Sequence, residues 1–370
     1  MFRIAVIAGD GIGPEVITEG LKVLRILEEC DNLKFDMREL DIGATRYIES
    51  GKTLTQDDLD VLSEQDAIYF GAVGDPRVKP GILEREIILA LRFYFDQFVN
   101  LRPVKSWVPG ARLKSSKPFD IVFLRENTED FYLGSGGFIS PRSNSVSLAI
   151  ERSFYKLSLE ISSSLSNDEE LAFELGLLSK SGVTRFAEYA FYMAKRRGQT
   201  KITVVDKANV CTNMYGLWRR VFSTLAEERD IDIEYVYVDA MCQALVKNPD
   251  KFNIVATPNM FGDILTDLGA EIQGSLGLAC SGNINPNGVS MFEPVHGSAP
   301  DIAGRGIANP IGAILAAKLM LEFLGSDRLA RKIEKAVEEV ILKGIVTPDL
   351  GGYAKTSEVG DAIVESLLNM

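Results

Sequence analysis

The sequence predicts an α/β fold built on a largely parallel sheet and divided between two domains. Short β-branched runs alternate with helical patterns almost throughout the chain, as in parallel-sheet proteins. Apolar residues make up 46% and charged residues 25%, the balance of an ordinary globular protein. A length of 370 residues is more than one core comfortably holds. In chain order, strands are predicted at 3–8, 67–72, 120–124, 201–205, 234–238 and 253–257. Helices are predicted at 15–29, 263–273, 311–324, 329–342 and 357–368, where apolar residues recur at spacings of three and four. The Gly-, Ser- and Pro-rich run GSGGFISPRSN (134–144) reads as a loop or protruding arm, and SGNINPNGVS (281–290) as a second irregular region.

Asp and Glu number 52 against 40 Lys and Arg, for a formal charge of -12. That field repels phosphate backbones and anionic lipid, so neither nucleic acid nor membrane is an expected partner. A small anion is compatible with it, because a few arginines reverse the potential inside one cleft. Cys30, Cys211, Cys242 and Cys280 show no paired spacing, which argues for buried thiols in a reducing compartment. The single histidine, His296, excludes multi-histidine metal sites. The apolar segment 311–325 is interrupted by Lys318 and Glu322 and reads as a buried helix, and the start of the chain lacks a signal-peptide pattern. The expected location is cytoplasmic.

Five features carry chemistry. AGDGIGPE (8–15) joins the first strand to the first helix; its G-x-G-x-G spacing is a poor dinucleotide fingerprint, and it fits either ligand contact or a plain turn. Arg92, Arg102 and Arg125, the last opening RENTEDFY (125–132), are candidate carboxylate forks or solvated cations. Asp239, Asp263 and Asp267 form a carboxylate set. Asp263 and Asp267 are four apart, on one helix face, and call for a compensating Mg²⁺ or Mn²⁺ or for a helix N-terminus. Lys207, in VDKANV (205–210), is a base or a solvated lysine. In FEPVHGSAPDIAG (292–304) and GIANP (306–310), small residues around His296 would let amides approach a pyrophosphate and Asp301 accept from ribose hydroxyls, or the segment is a tight structural loop.

GDGIGPE (9–15), NLRP (100–103), RENTE (125–129), DKANV (206–210), FGDILTD (261–267) and the block 293–309 together resemble the β-decarboxylating dehydrogenases of 2-hydroxy acids, the isopropylmalate/isocitrate dehydrogenase family, in the family's order and across the whole chain. The resemblance implies a discontinuous first, NAD-binding domain (1–103 with 276–370), a second domain for dimerisation, substrate and metal (104–275), and a nucleotide site that is not a Rossmann crevice. It also implies a homodimer with shared active sites. Arg92, Arg102 and Arg125 would hold the substrate carboxylates, with Ile88, Leu89, Asn209 and Val210 also touching substrate. Tyr132 would be the general acid and Lys207 the base, reaching across from the partner. Asp263, Asp239 and Asp267 would hold Mg²⁺ or Mn²⁺. Ile12, Glu84, His296, Gly297, Ser298, Ala299, Asp301, Ile302 and Asn309 would line the NAD site.

The implied activity is NAD-dependent oxidative decarboxylation of a 2-hydroxy dicarboxylic acid, with 3-isopropylmalate expected ahead of homoisocitrate, isocitrate or tartrate. The expectation rests on LEREIILALR (83–92), where Ile88 and Leu89 would share the face that presents Arg92. Two stretches depart from the family pattern. Asp130 stands where many members carry glycine and would add charge near the acid, and LLSKSGVT (177–184) has no counterpart in the motif set.

Overall fold

A computed structural model describes residues 1–31, 33–107, 117–142, 144–165 and 168–370. In chain order the elements are β1 (Phe2–Gly9), α1 (Gly13–Asp31), β2 (Phe35–Glu39), α2 (Ala44–Ser50), α3 (Gln56–Ser63), β3 (Ala67–Ala72), a π-helical turn (Glu84–Leu89) running into α4 (Ala90–Tyr94), and β4 (Val99–Lys105). There follow β5 (Asp120–Glu126), β6 (Gly136–Ile139), β7 (Ser145–Arg152), β8 (Tyr155–Ser162), β9 (Leu171–Glu174), α5 (Lys180–Arg196), β10 (Lys201–Asp206), α6 (Thr212–Glu227), β11 (Asp232–Tyr237), α7 (Val238–Lys247), β12 (Ile254–Thr257) and α8 (Asn259–Gln273). The chain closes with β13 (Cys280–Ile284), β14 (Ser290–Pro294), α9 (Ile311–Phe323), α10 (Asp327–Leu342) and α11 (Thr356–Leu368).

By compactness the chain forms two units, 1–123 with 243–252 and 266–370, and 124–242 with 253–265. In the first unit the strand order is β4-β13-β14-β3-β1-β2. β1 pairs in parallel with β2 and β3, and β3 in parallel with β14, while β13 runs antiparallel to both β14 and β4. β3 is buried along its whole length, which is why it reads as an unbroken apolar run. On α1, Val16, Ile17, Gly20, Val23, Leu24 and Leu27 form the buried stripe, and Pro14 sits in the first turn, where its missing N–H costs no hydrogen bond. α9 is apolar on nearly every side because α1 and α10 cover it. A second apolar layer, including Ile7, Phe70, Leu83, Ile87, Leu91 and Met291, seats the π-helical turn and α4.

The second unit orders its strands β11-β10-β12-β5, with β10 parallel to β11 and β12. α5 and α6 join through Phe186, Trp218 and Phe222, with ring centroids 5.3 Å apart for Phe186 and Trp218. Ser179 caps α5, its hydroxyl accepting from the Gly182 amide. β7 and β8 form an antiparallel hairpin in register from Ser145↔Ser162 to Arg152↔Tyr155.

Several sequence-based expectations are corrected here. The predicted arm at 134–144 contains β6, which pairs antiparallel with β9; Ser143 of that run lies outside the described residues. Of the irregular region at 281–290, 281–284 and Ser290 belong to β13 and β14, whose strands are buried on both faces and so lose the alternation that marks a strand, while 285–289 is the irregular turn between them. Asp239 does not end a strand but stands in the first turn of α7. Of the four cysteines only Cys280 is buried, and Cys30 is exposed. The unmatched stretch 177–184 supplies an isolated bridge from Leu177 to Asp130 and the start of α5.

Candidate active site

Glycines at the first βα turn are used by the chain itself. A Cβ at Gly9 would lie 1.9 Å from the Ala72 carbonyl oxygen, and one at Gly11 1.9 Å from that of Ser298. Both residues have positive φ (72° and 58°), so the plain turn accounts for them without a ligand. The consequence is structural: the Ile12 amide donates to the Ser298 carbonyl at 2.9 Å and pins the 296–299 loop to the start of α1.

In the first unit β3, β14, β4 and the π-helical turn enclose a pocket of about 220 Å³, lined among others by Glu84, Ile88, Arg92, Arg102, Glu293 and His296. A π turn carries an extra residue relative to an α turn and is common at functional sites. Here it leads into α4 so that Glu84, Ile88 and Arg92, four apart, all reach the pocket wall, whereas Leu89 does not line it. Arg92 and Arg102 are each only 7% exposed, which rules out the solvated reading for both. Their desolvation is offset by a polar ladder that the sequence motifs did not reveal. Arg92 lies 3.6 Å from Glu293, and Glu293 accepts from Asn283 at 2.7 Å. Asn100 donates to Asn283 (2.9 Å) and accepts from Arg102 Nε (2.7 Å), and Arg102 Nη1 reaches Thr266 Oγ1 at 2.6 Å and Asp267 at 3.5 Å. Buried guanidinium groups held in this way recognise carboxylates.

His296 is buried, its Nδ1 stands 3.0 Å from the Gly297 carbonyl oxygen, and its Nε2 has no hydrogen-bond partner. With Nδ1 donating, Nε2 is left as a buried acceptor on the pocket lining. Burial holds the imidazole pKa below its usual value, favouring the neutral ring. Beside it Gly297 has open space where a Cβ would stand, Ser298 is buried, and Ala299 takes a left-handed φ of 38°. Asp301 is exposed in the following turn, with Ile302 half-buried. Asn309 donates to Asp349 at 3.0 Å and accepts from the Ile311 amide at the start of α9.

The second unit carries a separate cluster. Arg125, the penultimate residue of β5, is 1% exposed. Its Nε donates to Asn259 Oδ1 at 2.8 Å, its Nη1 pairs with Asp263, and its Nη2 is buried with no partner. Gly262 allows this approach, since a Cβ there would lie 2.6 Å from Arg125 Cγ. The Tyr132 hydroxyl donates to Asp263 at 2.6 Å, and the guanidinium stacks 4.7 Å from the Tyr132 ring. Asp263 lies beyond the first turn of α8, so the macrodipole reading gives way to compensation by arginine: Arg125 at Asp263, Arg102 at Asp267. Lys207 pairs with Asp239, which this partner holds below the usual carboxylate range, and Asn209 and Val210 lie exposed beside it. Among the described residues no three His, Cys, Asp or Glu side chains are gathered as a metal centre.

Behind Tyr132 the RENTED segment is an acidic knot. Glu126, Glu129 and Asp130 are all buried. Burial, then the charge of Glu126, pushes Glu129 up to about 7, and burial raises Asp130 to about 6. Asp130 therefore brings its charge not to Tyr132 but to the Met260 amide and the Tyr215 hydroxyl. A carboxyl raised in the folded state contributes stability that is fully present below its unfolded pKa and lost as pH rises through the folded one. The stability of Glu129→Gln relative to the unmodified protein should thus rise from pH 5 to pH 7.5, by on the order of 1–3 kcal/mol. Denaturant melts across that range test it, and a difference that stays flat contradicts the assignment.

Buried arginine forks in one unit and an Arg-Tyr-Asp cluster in the other are suited to holding small carboxylates. The chain belongs to the isocitrate/isopropylmalate dehydrogenase family, whose model matches residues 3–363. It is 43% identical to the 3-isopropylmalate dehydrogenase of Corynebacterium urealyticum over 99% of both chains, and 42% identical to that of Streptomyces avermitilis over 98% of this chain and 97% of the other. Among solved structures, isocitrate dehydrogenase from Methylococcus capsulatus matches with a TM-score of 0.84 at 33% identity over 99% of both chains. A β-decarboxylating dehydrogenase from Thermococcus kodakarensis matches at 0.75 and 34% identity, over 100% of this chain and 97% of the other. The α/β fold expected from the sequence is thereby that of a decarboxylating dehydrogenase.

Proposed function

We propose that the protein oxidises 3-isopropylmalate with NAD and releases CO₂ and 4-methyl-2-oxopentanoate, a step of leucine biosynthesis. The carrying observation is the pocket wall on which apolar Ile88 lies between Glu84 and Arg92, in a chain whose full-length relatives at 42–43% identity are 3-isopropylmalate dehydrogenases. Reduction of NAD measured side by side with 3-isopropylmalate, homoisocitrate, isocitrate and tartrate, each with Mg²⁺ or Mn²⁺, tests it. A higher kcat/KM for any of the other three acids would replace the assignment.

The residues present fit both groups that the family employs. Ile12, Glu84, His296, Gly297, Ser298, Ala299, Asp301, Ile302 and Asn309 would hold NAD, and the unpartnered Nε2 of His296 beside the open backbone at Gly297 supports this. Asp239, Asp263 and Asp267 offer the carboxylate oxygens that Mg²⁺ or Mn²⁺ prefers, on side chains that are 63%, 36% and 64% exposed. When bound, nicotinamide would supply a hydride acceptor and the cation would supply Lewis-acid polarisation of the substrate. Arg92, Arg102 and Arg125 hold the two carboxylates, and Asn209 and Val210 border the substrate. Lys207 takes the hydroxyl proton, and Tyr132 delivers a proton to the carbon that loses CO₂.

Asp301 sets the cofactor preference. Its carboxylate would accept from the adenosine ribose, while a 2′-phosphate there would meet a like charge with no cation at Ile302. NAD should exceed NADP in kcat/KM by at least about tenfold, roughly 1.4 kcal/mol. Equal efficiencies would remove the argument.

A cytoplasmic homodimer with shared active sites completes the proposal. Among the described residues no helix is long and apolar enough to cross a membrane. The hairpin of β7 and β8 leaves Val146, Leu148, Leu157, Leu159 and Ile161 only half-buried and Phe154 exposed, and the β6–β9 pair leaves Phe138 and Leu171 exposed, which suits pairing with a second copy. Lys207 and Asp239 would then act in the partner's site. The functional division at 1–103 with 276–370 and 104–275 belongs to the same reading.

A further inference from the structure

We infer that Asp130 is a positioning residue for the Tyr132–Asp263 pair, tying the turn that carries Tyr132 to the start of α8, the helix on which Asp263 follows one turn later. The inference rests on the reading of Tyr132 as the acid.

Asp130 is wholly buried and lies two residues before Tyr132. Its Oδ2 accepts from the Met260 amide at 2.8 Å, three residues before Asp263, and its Oδ1 accepts from the Tyr215 hydroxyl at 3.3 Å. Its own amide donates to the Leu177 carbonyl at 2.8 Å. The backbone holds φ at 63°, a region that costs a non-glycine residue about 1 kcal/mol. Glycine would relieve that cost, so an aspartate here is explained by what its side chain does. Asn259 braces the same junction, donating to the Glu129 carbonyl at 3.2 Å and accepting from Arg125. The Asp130 side chain reaches from the turn beside Tyr132 to the amide of Met260. An error of about 1 Å in the placement of a reacting group can cost about a hundredfold in rate.

The test compares Asp130→Gly and Asp130→Asn in the full chain. Glycine removes the tie and relieves the backbone, whereas asparagine keeps an acceptor for the Met260 amide. Asp130→Gly should lower kcat by about tenfold to a hundredfold with the KM for NAD within about twofold, and should speed hydrogen exchange at the Met260 amide at least about tenfold. Asp130→Asn should keep kcat and exchange within about threefold of the unmodified enzyme. Unchanged kcat in the glycine variant, or equal losses in both variants, would overturn the inference. If the unmodified enzyme reduces NAD with none of the four acids, the proposed function fails, and the exchange rates alone decide: faster exchange in the glycine variant supports the tie, and unchanged exchange overturns it. Should Asp130→Gly not fold, Tyr215→Phe removes one of the two side-chain bonds and should lower kcat about threefold while NAD binding holds, with no change in kcat counting against the tie.

Discussion

Tyr132→Phe and Lys207→Met should each lower kcat by about two to four orders of magnitude while NAD binding stays nearly intact, because a positioned general acid or base contributes about that much. The structure makes both substitutions clean. Phenylalanine keeps the ring stacked 4.7 Å from Arg125 and deletes only the hydroxyl that donates to Asp263 at 2.6 Å. Methionine retains the length of the lysine chain and deletes the cation beside Asp239, whose side chain is 63% exposed and can return to water at little cost to stability. Steady-state rates at saturating substrate, cofactor titration by nicotinamide fluorescence and thermal melts separate loss of chemistry from loss of fold. Near-normal turnover in either variant would strip that residue of its role.

The second large effect is selectivity between acids. Burying an isopropyl group against Ile88 is worth roughly 2 kcal/mol at about 0.8 kcal/mol per CH₂-sized group, and leaving the third carboxylate of isocitrate unpaired there costs at least about as much. The sum, on the order of 4 kcal/mol, corresponds to about a thousandfold in kcat/KM. 3-Isopropylmalate should outcompete isocitrate by at least about a hundredfold. Ile88→Ala should narrow the gap chiefly by harming the former. Leu89→Ala, expected from helical spacing to act alike, should do less, because the π turn places Ile88 and not Leu89 on the pocket wall. Comparable efficiencies for the two acids in the unmodified enzyme would favour an isocitrate-type assignment, and a larger effect at Leu89 would show that a different face meets the substrate.

What could be read without coordinates was local. Periodicity located α1, α8, α10 and α11 to within a few residues, because each keeps an apolar stripe, the nearly all-apolar run of helical length located α9, and short β-branched runs located β1, β3, β5, β10 and β12. The order of motifs along the chain identified the family, and charge with isolated cysteines excluded nucleic-acid partners and a disulfide framework as expectations. Other elements escaped for a physical reason. β13 and β14 are buried on both faces and lack alternation, β6 is a short strand inside a Gly-rich run, and Asp239 opens a helix directly after β11.

The site divides in the same way. Residue types and their places just after strands singled out Arg92, Arg102, Arg125, Tyr132, Lys207, Asp263 and His296 as candidates. Whether a given arginine was buried or solvated depended on partners far away in sequence: Asn283 lies 183 positions from Asn100, Thr266 lies 164 from Arg102, and Asp263 lies 138 from Arg125. Close packing likewise decided that Gly9 and Gly11 serve the turn, and burial decided that Asp130 caps α8 and leaves Tyr132 to Asp263. A sequence by itself determines the chemistry each residue can perform and the period with which apolar faces recur; desolvation and hydrogen-bond partners belong to groups brought together only by folding, so the tertiary structure alone decides which of those chemistries is set in place.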